Sequence, residues 1–180
     1  MMHKTFLGFT LLETLVAISV LLMALLGPFA IASQALRSAY YARDQVTAFY
    51  LAQEGIEYVR ALRDQNYLTT PGTPTNWVNG LDICKIGVGK CTVDLKTFNH
   101  AQCPGGVGGT CPVLYTDPSG VYTQSSGIGY TATKFTRSIT ITDVSLGGLI
   151  DEELVSVTVT WQTIGLTRSF TLKERIFNWL

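Results

Sequence analysis

Hydrophobic positions change their pattern twice along this chain, and each pattern predicts a different element. From Phe9 to Ala32 they form an almost continuous run in which Glu13 is the single charged residue. As a helix this run is about 36 Å long, enough to cross a membrane hydrocarbon core of about 30 Å. The first pattern therefore predicts a membrane-spanning helix over residues 9–32.

The second pattern follows without a linker and covers residues 33–67. Its apolar residues recur mostly at steps of three and four, which is typical of an amphipathic helix: Leu36, Tyr40, Val46, Phe49, Ala52, Ile56, Val59 and Leu62. A cluster rich in threonine, proline and glycine at residues 69–74 is expected to end this helix near Asn66. Gly55 is unfavourable in a helix by about 1 kcal/mol relative to alanine, so we expect close packing there.

The third pattern is a period of two and is clearest in the last third of the chain. Apolar residues from Val155 to Trp161 alternate with Ser156, Thr158, Thr160 and Gln162. Ile139 and Ile141 begin a similar series, and another follows a turn at residues 164–165. Weaker signals predict a strand from Cys91 and a turn at 117–120. Residues 68–180 should therefore form a β-rich head, an antiparallel sheet with one buried face.

Together the patterns predict an α+β fold, in which a long N-terminal helix packs on a C-terminal antiparallel sheet. The apolar stripe of residues 36–62 is the available cover for the buried face of that sheet.

Composition adds little about partners. Hydrophobic residues make up 47% of the chain and charged residues 14%, with 13 basic and 13 acidic side chains. The formal net charge of zero gives no global field that favours nucleic acid or an anionic surface. Lys85, Lys90 and Lys96 are too dispersed, with few aromatic residues between them, to indicate nucleic-acid binding.

Four cysteines occupy one segment: Cys84, Cys91, Cys103 and Cys111. An even count in an extracytoplasmic head favours disulfides, whereas a zinc site would need closely spaced C-x-x-C pairs. Three connectivities are possible. We prefer the local pairs Cys84–Cys91 and Cys103–Cys111, because each closes a short loop that contains glycine.

The charges around the apolar run leave its orientation open, since Lys4 precedes it while Arg37 and Arg43 follow. A secretory signal peptide is an alternative, with residues 15–26 as its apolar region and residues 30–32 as a small-residue cleavage site. Against it, Glu13 stands where such peptides prefer a cation. The residues after Ala32 also continue in helical register.

The sequence Gly8-Phe9-Thr10-Leu11-Leu12-Glu13, followed by the apolar run, resembles the leader junction of type IV prepilins and type II secretion pseudopilins. The resemblance implies that residues 1–8 are a leader, that a prepilin peptidase cuts after Gly8, and that Phe9 is then N-methylated. It also implies that the Glu13 carboxylate neutralises the new amino group of a neighbouring subunit during assembly. Snorkelling of Glu13 from a simple anchor helix is the alternative role.

Further expectations follow from the same resemblance. It implies a pilin-like fold and a structural subunit without a cofactor. Because proline removes a helical hydrogen bond, Gly27 and Pro28 predict a kink or local unwinding, and the resemblance implies a similar role in filaments. A simple membrane-helix kink satisfied by neighbouring groups is the alternative. Residues 51–60 are similar to the helix of minor pilins and pseudopilins, which favours a minor subunit. The cysteines precede the final strands, whereas the disulfide loop of many pilins lies near the C-terminus, so no adhesive role is transferred.

The implied partners are other pilin or pseudopilin subunits, the prepilin peptidase and methylase, the inner-membrane assembly platform, and membrane lipid before assembly. The implied location is the cell membrane, crossed once with the head outside the cytoplasm, and then an extracellular pilus or a pseudopilus across the periplasm. The alternative function is a membrane-anchored or secreted adhesion or ligand-binding module with a conventional signal peptide.

No residue pattern predicts an enzyme or a metal site. His3 lies in the leader and His100 is interpreted as a solvated loop residue near Cys103. The run Gly105–Gly109 lacks the lysine and hydroxyl residue of a phosphate-binding loop, and we expect a flexible loop closed by a disulfide. The acidic cluster 151–153 lacks the spaced oxygen ligands of a calcium loop and is expected to be a solvated turn.

Overall fold

The computed structural model describes residue 8 and residues 10–69, 77–146, 149–163 and 165–178. Within strands, the side chains of residues 145, 146 and 149–151 are also outside the description. Contacts divide the chain into two units, Met1–Arg43 and Asp44–Leu180. The boundary between them falls inside the long helix.

Helix α1 spans Leu11–Thr69. Thr10 precedes it, and its Oγ1 accepts a hydrogen bond of 3.3 Å from the Glu13 N–H. This bond satisfies one of the N–H groups that have no partner in the first turn. The helix continues to Thr69, three residues beyond the expected end at Asn66, and Thr69 Oγ1 donates to the Gln65 and Asn66 carbonyls. Most of the expected breaker cluster, residues 70–74, lies outside the described residues.

In the described part of the chain, seven strands form one antiparallel sheet: β1 Cys91–Asp94, β2 Asn99–Gln102, β3 Val113–Thr116, β4 Tyr122–Thr123, β5 Thr131–Leu146, β6 Leu149–Thr163 and β7 Leu166–Phe177. Strand β5 is central, because β6 pairs along one of its edges while β1 and β3 share the other. The β6–β7 ladder is regular from Glu152 opposite Phe177 to Thr163 opposite Leu166. Two short 3-10 turns cover Asp82–Cys84 and Gly106–Gly108.

The α+β architecture predicted from the hydrophobic pattern is confirmed. The final three strands, the β3–β4 turn at residues 117–120 and a strand beginning at Cys91 are all present. The β1–β2 hairpin was not predicted. It places His100 on strand β2 rather than in a loop.

The core of the second unit lies between α1 and one face of the sheet. On the helix it contains Ala48, Leu51, Ala52, Ile56, Tyr58 and Val59. On the sheet it contains Ile139, Ile141, Val155, Val157, Val159 and Trp161. The predicted helix stripe was therefore only partly right. Leu36, Tyr40, Val46 and Phe49 are exposed, because packing on the sheet begins at Asp44 and uses a face centred on Leu51, Gly55 and Tyr58.

Gly55 lies where the helix approaches the sheet most closely. A Cβ built on it would be 2.8 Å from Val157 Cγ1 and 3.4 Å from Arg137 Cδ. Real Cβ atoms do not come so close to a stiff, buried valine, and protein interiors have few gaps to absorb the overlap. The expected close packing at Gly55 is confirmed.

Candidate functional site

The first candidate site is the N-terminal end of α1, where Glu13 lies in the first helical turn. Glu13 and Thr10 are both exposed, and their backbone-to-side-chain hydrogen bond is the N-cap of the helix. A carboxylate at this end of a helix is favoured by the helix dipole. The Thr10-x-x-Glu13 spacing is a capping-box pattern that the sequence analysis did not use.

The apolar part of α1 carries its hydrophobic side chains outward. Leu11 is 83% exposed, Met23 75% and Phe29 76%, and among the described residues from Leu11 to Arg43 none is buried. The hydroxyls of Thr14, Ser19 and Ser33 donate to the carbonyls three residues earlier, so these polar groups are satisfied within the helix. Internal satisfaction of this kind is what a hydrocarbon environment requires.

By length and composition, α1 is able to cross a membrane once. The apolar part of a secretory signal sequence near the N-terminus has the same properties. The described residues therefore contain one candidate membrane span.

Of the two residues predicted at the processing site, the structure describes one. Gly8 is described and exposed, whereas Phe9, like His3 and Lys4, lies outside the described residues. Gly27 and Pro28 are both helical within α1, so the segment is not unwound at that point. A bend of the helix axis at Pro28 stays a prediction.

The four cysteines form the two local pairs expected from their spacing. Cys84 lies at bonding distance from Cys91, and Cys103 from Cys111. All four are buried, and the described residues include no free cysteine. The glycine-rich run Gly105–Gly109 lies within the second loop, where Gly106–Gly108 form a 3-10 turn.

His100 is a structural residue rather than a solvated one. Its Nε2 lies 2.7 Å from the Gly80 carbonyl oxygen, and its Nδ1 lies 2.8 Å from the Tyr58 hydroxyl. A carbonyl can only accept, so Nε2 is the donor to Gly80, and the tautomer with its proton on Nε2 leaves Nδ1 as the acceptor for the Tyr58 hydroxyl. Burial raises the pKa of Tyr58, which keeps that donor protonated. Both ring nitrogens are therefore engaged within the head.

A polar cleft of about 200 Å³ lies beside this histidine. Asp94 lies at its base and accepts from the Thr123 hydroxyl at 2.7 Å and from the Gln124 and Lys96 N–H groups. Burial acts to raise the pKa of Asp94, but these hydrogen bonds outweigh it and leave the pKa below its ordinary value. The carboxylate is therefore an ionised anchor for the loops around β1 and β4, with its oxygens occupied by the protein.

The burial of two charged residues was not predicted from the sequence. Arg137 is fully buried beneath α1, where it donates to the Leu51 and Val93 carbonyls at 3.1 and 2.6 Å and pairs with Glu54 at 3.1 Å. Burial lowers the pKa of Arg137, and Glu54 opposes that effect. Glu153 is also fully buried, so the interpretation of residues 151–153 as a solvated turn was wrong. These residues belong to β6 instead.

The lysines considered for nucleic-acid binding are partly engaged in ion pairs. Lys85 pairs with Asp143 and Glu153, and Lys96 pairs with Asp117 at 2.5 Å. Among the residues that the structure describes, no group of three or more histidine, cysteine or acidic side chains is placed to hold a metal ion.

These features divide the molecule chemically. The buried charged residues of the head have partners within it, whereas the N-terminal part of α1 exposes its apolar side chains and carries one acid at its end. Comparisons of the chain with protein-family models, curated proteins and solved structures found no match.

Proposed function

We propose that this chain is a structural subunit of a type IV pilus or of a type II secretion-like pseudopilus. The observation that carries the proposal is Glu13, which lies in the first turn of α1 and is the single charged residue of the apolar run from Phe9 to Ala32, preceded by Gly8. The resemblance of this junction to prepilins implies a role for these residues, in which the Glu13 carboxylate neutralises the amino group of a neighbouring subunit.

Cleavage after Gly8 would create a new α-amino group on Phe9, four residues before Glu13 in the sequence. An acid within an apolar segment is costly unless its charge is neutralised, so such residues are usually functional. A cationic amine from the neighbouring subunit would neutralise the carboxylate and would fix the axial position of one helix against the next.

The exposed apolar surface of α1 supports the same role. In a membrane, lipid would cover the side chains between Leu11 and Leu36. In a filament, equivalent helices of neighbouring subunits would replace that lipid, so that extraction exchanges one apolar contact for another. The head would remain outside the cytoplasm and would face outward from the fibre.

This role requires the partners that the resemblance implies: a prepilin peptidase and methylase, an inner-membrane assembly platform, and other pilin or pseudopilin subunits. The similarity of residues 51–60 to minor pilins and pseudopilins favours a minor subunit. Neither an enzymatic activity nor nucleic-acid binding forms part of the proposal.

The direct test is the N-terminus of the mature protein, determined by mass spectrometry of the chain purified from its native membrane. We expect the chain to begin with N-methylated Phe9, and a Gly8→Val variant to retain its leader. A mature chain beginning at Ser33 would indicate a conventional signal peptide and a secreted binding module. A chain that keeps Met1 would indicate a plain membrane anchor, and either result would refute the pilin proposal.

A further inference from the structure

The head buries the carboxylate of Glu153, which has few groups around it to stabilise its charge. Glu153 lies on β6 in phase with Val155 and Val157, its side chain has no solvent exposure, and its Oε2 accepts no hydrogen bond from the described residues. Burying a charge is strongly unfavourable unless a partner of opposite charge lies next to it. The stability of this part of the sheet therefore depends on the partner of Glu153.

Lys85 is that partner. Its Nζ lies 3.2 Å from Glu153 Oε1 and 2.9 Å from Asp143 Oδ1. Asp143 is opposite Glu153 in the β5–β6 ladder, while β7 places the apolar Ile176 on the other side. One ammonium group thus serves two carboxylates, and its loss would leave two like charges on neighbouring strands. Burial raises the pKa of Glu153 against the opposing effect of Lys85.

The position of Lys85 depends on the small loop that contains it. Cys84 and Cys91, both fully buried, close this loop, and Lys85 directly follows Cys84 within it. The Ile86 N–H donates to the Ile141 carbonyl at 2.9 Å and fixes the loop to β5. The loop gains little from burial otherwise, because Ile86 is 65% exposed and Val88 is 51% exposed.

We propose that the Cys84–Cys91 disulfide is a redox-controlled clamp that holds Lys85 over Glu153, so that the head reaches full stability only after this bond forms. In thiol–disulfide exchange, the two thiols reduce one disulfide oxidant, RSSR, and yield the Cys84–Cys91 disulfide and two RSH molecules. The clamp concerns the head alone and does not depend on the pilus assignment. It makes stability conditional on an oxidising compartment.

The test is a double-mutant cycle on the full chain in detergent, with urea unfolding followed by tryptophan fluorescence. We expect C84A/C91A to lower the urea midpoint and E153Q to restore part of the loss. The coupling between the two sites should be about tenfold in the unfolding equilibrium constant. The matched control is C103A/C111A, which removes the other local disulfide and should combine additively with E153Q.

The pH dependence gives a second readout with a definite sign. Without Lys85 nearby, the folded-state pKa of Glu153 rises further above its unfolded value, so the folded protein holds a proton that the unfolded chain releases. Stability should then be fully present at low pH and fall as pH rises through the folded-state pKa. C84A/C91A should therefore gain stability as the pH is lowered from neutral towards the ordinary pKa of a glutamate, and C84A/C91A/E153Q should not.

K85M in the oxidised protein tests the same contact if C84A/C91A does not fold. It should lower the midpoint, couple with E153Q, and show the same gain at lower pH. Additive effects of E153Q with C84A/C91A would overturn the clamp, and so would additive effects of E153Q with K85M. Equal coupling of E153Q to C103A/C111A would also overturn it.

Discussion

At the scale of single residues, the position of Glu13 determines how its charge is tolerated. Glu13 lies in the first turn of α1, where the helix dipole and neighbouring unpaired N–H groups favour an anion. Thr10 Oγ1 makes the cap through the Glu13 backbone N–H, so the cap does not need the carboxylate. The structural contribution and the proposed assembly contribution can therefore be separated by substitution.

We predict that Glu13→Gln leaves membrane insertion and N-terminal processing intact but reduces incorporation into filaments by tenfold or more, on the order of the energy of a charged hydrogen-bonded pair. Immunoblots of sheared filaments and of the membrane fraction would measure both quantities. Thr10→Ala should weaken the helix start by about 1 kcal/mol without the same loss of incorporation. Unimpaired incorporation of Glu13→Gln would rule out charge pairing at this residue.

The burial of Arg137 and Glu153 could be predicted from the sequence, but their partners could not. Arg137 stands in phase with Phe135 and Ile139, and Glu153 stands in phase with Val155, so the period-two pattern already placed both on the buried face. A charged residue at a strand position where the alternation otherwise places apolar residues predicts a buried ion pair. Its partners, Glu54 and Lys85, come from distant segments, and only the tertiary structure identifies them.

At the scale of elements, the sequence predicted strands better than it predicted the boundaries of helix packing. The long strands β5, β6 and β7 show regular alternation because one face is buried and the other is not. The β1–β2 hairpin gave no turn signal. Its turn contains Phe98 at a φ of 49°, a conformation for which glycine or asparagine is the usual indicator.

The contact between α1 and the sheet gives the prediction at this scale. By helix propensity alone, Gly55→Ala should stabilise the head by about 1 kcal/mol. Because the new Cβ would overlap Val157 Cγ1, we expect overpacking of about 1–3 kcal/mol to outweigh that gain. Urea unfolding of the head would show a lower midpoint.

Gly27→Ala is the matched control for this substitution, because, apart from the adjoining helix backbone, no atom of the described residues lies within 4 Å of a Cβ built on Gly27. It should leave the unfolding midpoint of the head unchanged. A midpoint for Gly55→Ala equal to or above that of the unmodified chain would mean that the helix shifts away from the sheet without cost.

At the scale of the whole molecule, the chain joins two units that need different surroundings. The first unit has no buried residue among those described and exposes its apolar side chains. The second has a continuous core, formed by α1 from Ala48 onward and by the sheet. The hydrophobic pattern predicted an apolar segment over residues 9–32 and an amphipathic one from residue 33, and among the described helix residues burial begins at Asp44.

This division predicts that a chain of residues 38–180, which lacks the apolar run, folds as a soluble head. The retained turn before Asp44 preserves the contacts of its carboxylate with Lys134 Nζ at 2.6 Å and with Thr163 Oγ1 at 3.1 Å. Circular dichroism should show helix and sheet, and the urea midpoint should match that of the full chain in detergent.

A shorter chain, residues 49–180, provides the control for that experiment because it loses both Asp44 and the buried Ala48. It should unfold at a lower urea concentration, since Lys134 loses its partner and a cavity opens at the top of the core. If residues 38–180 aggregate or lack a cooperative transition, the apolar run must contribute to folding of the head. The core between α1 and the sheet would then be insufficient by itself, and the two units would be a single cooperative structure.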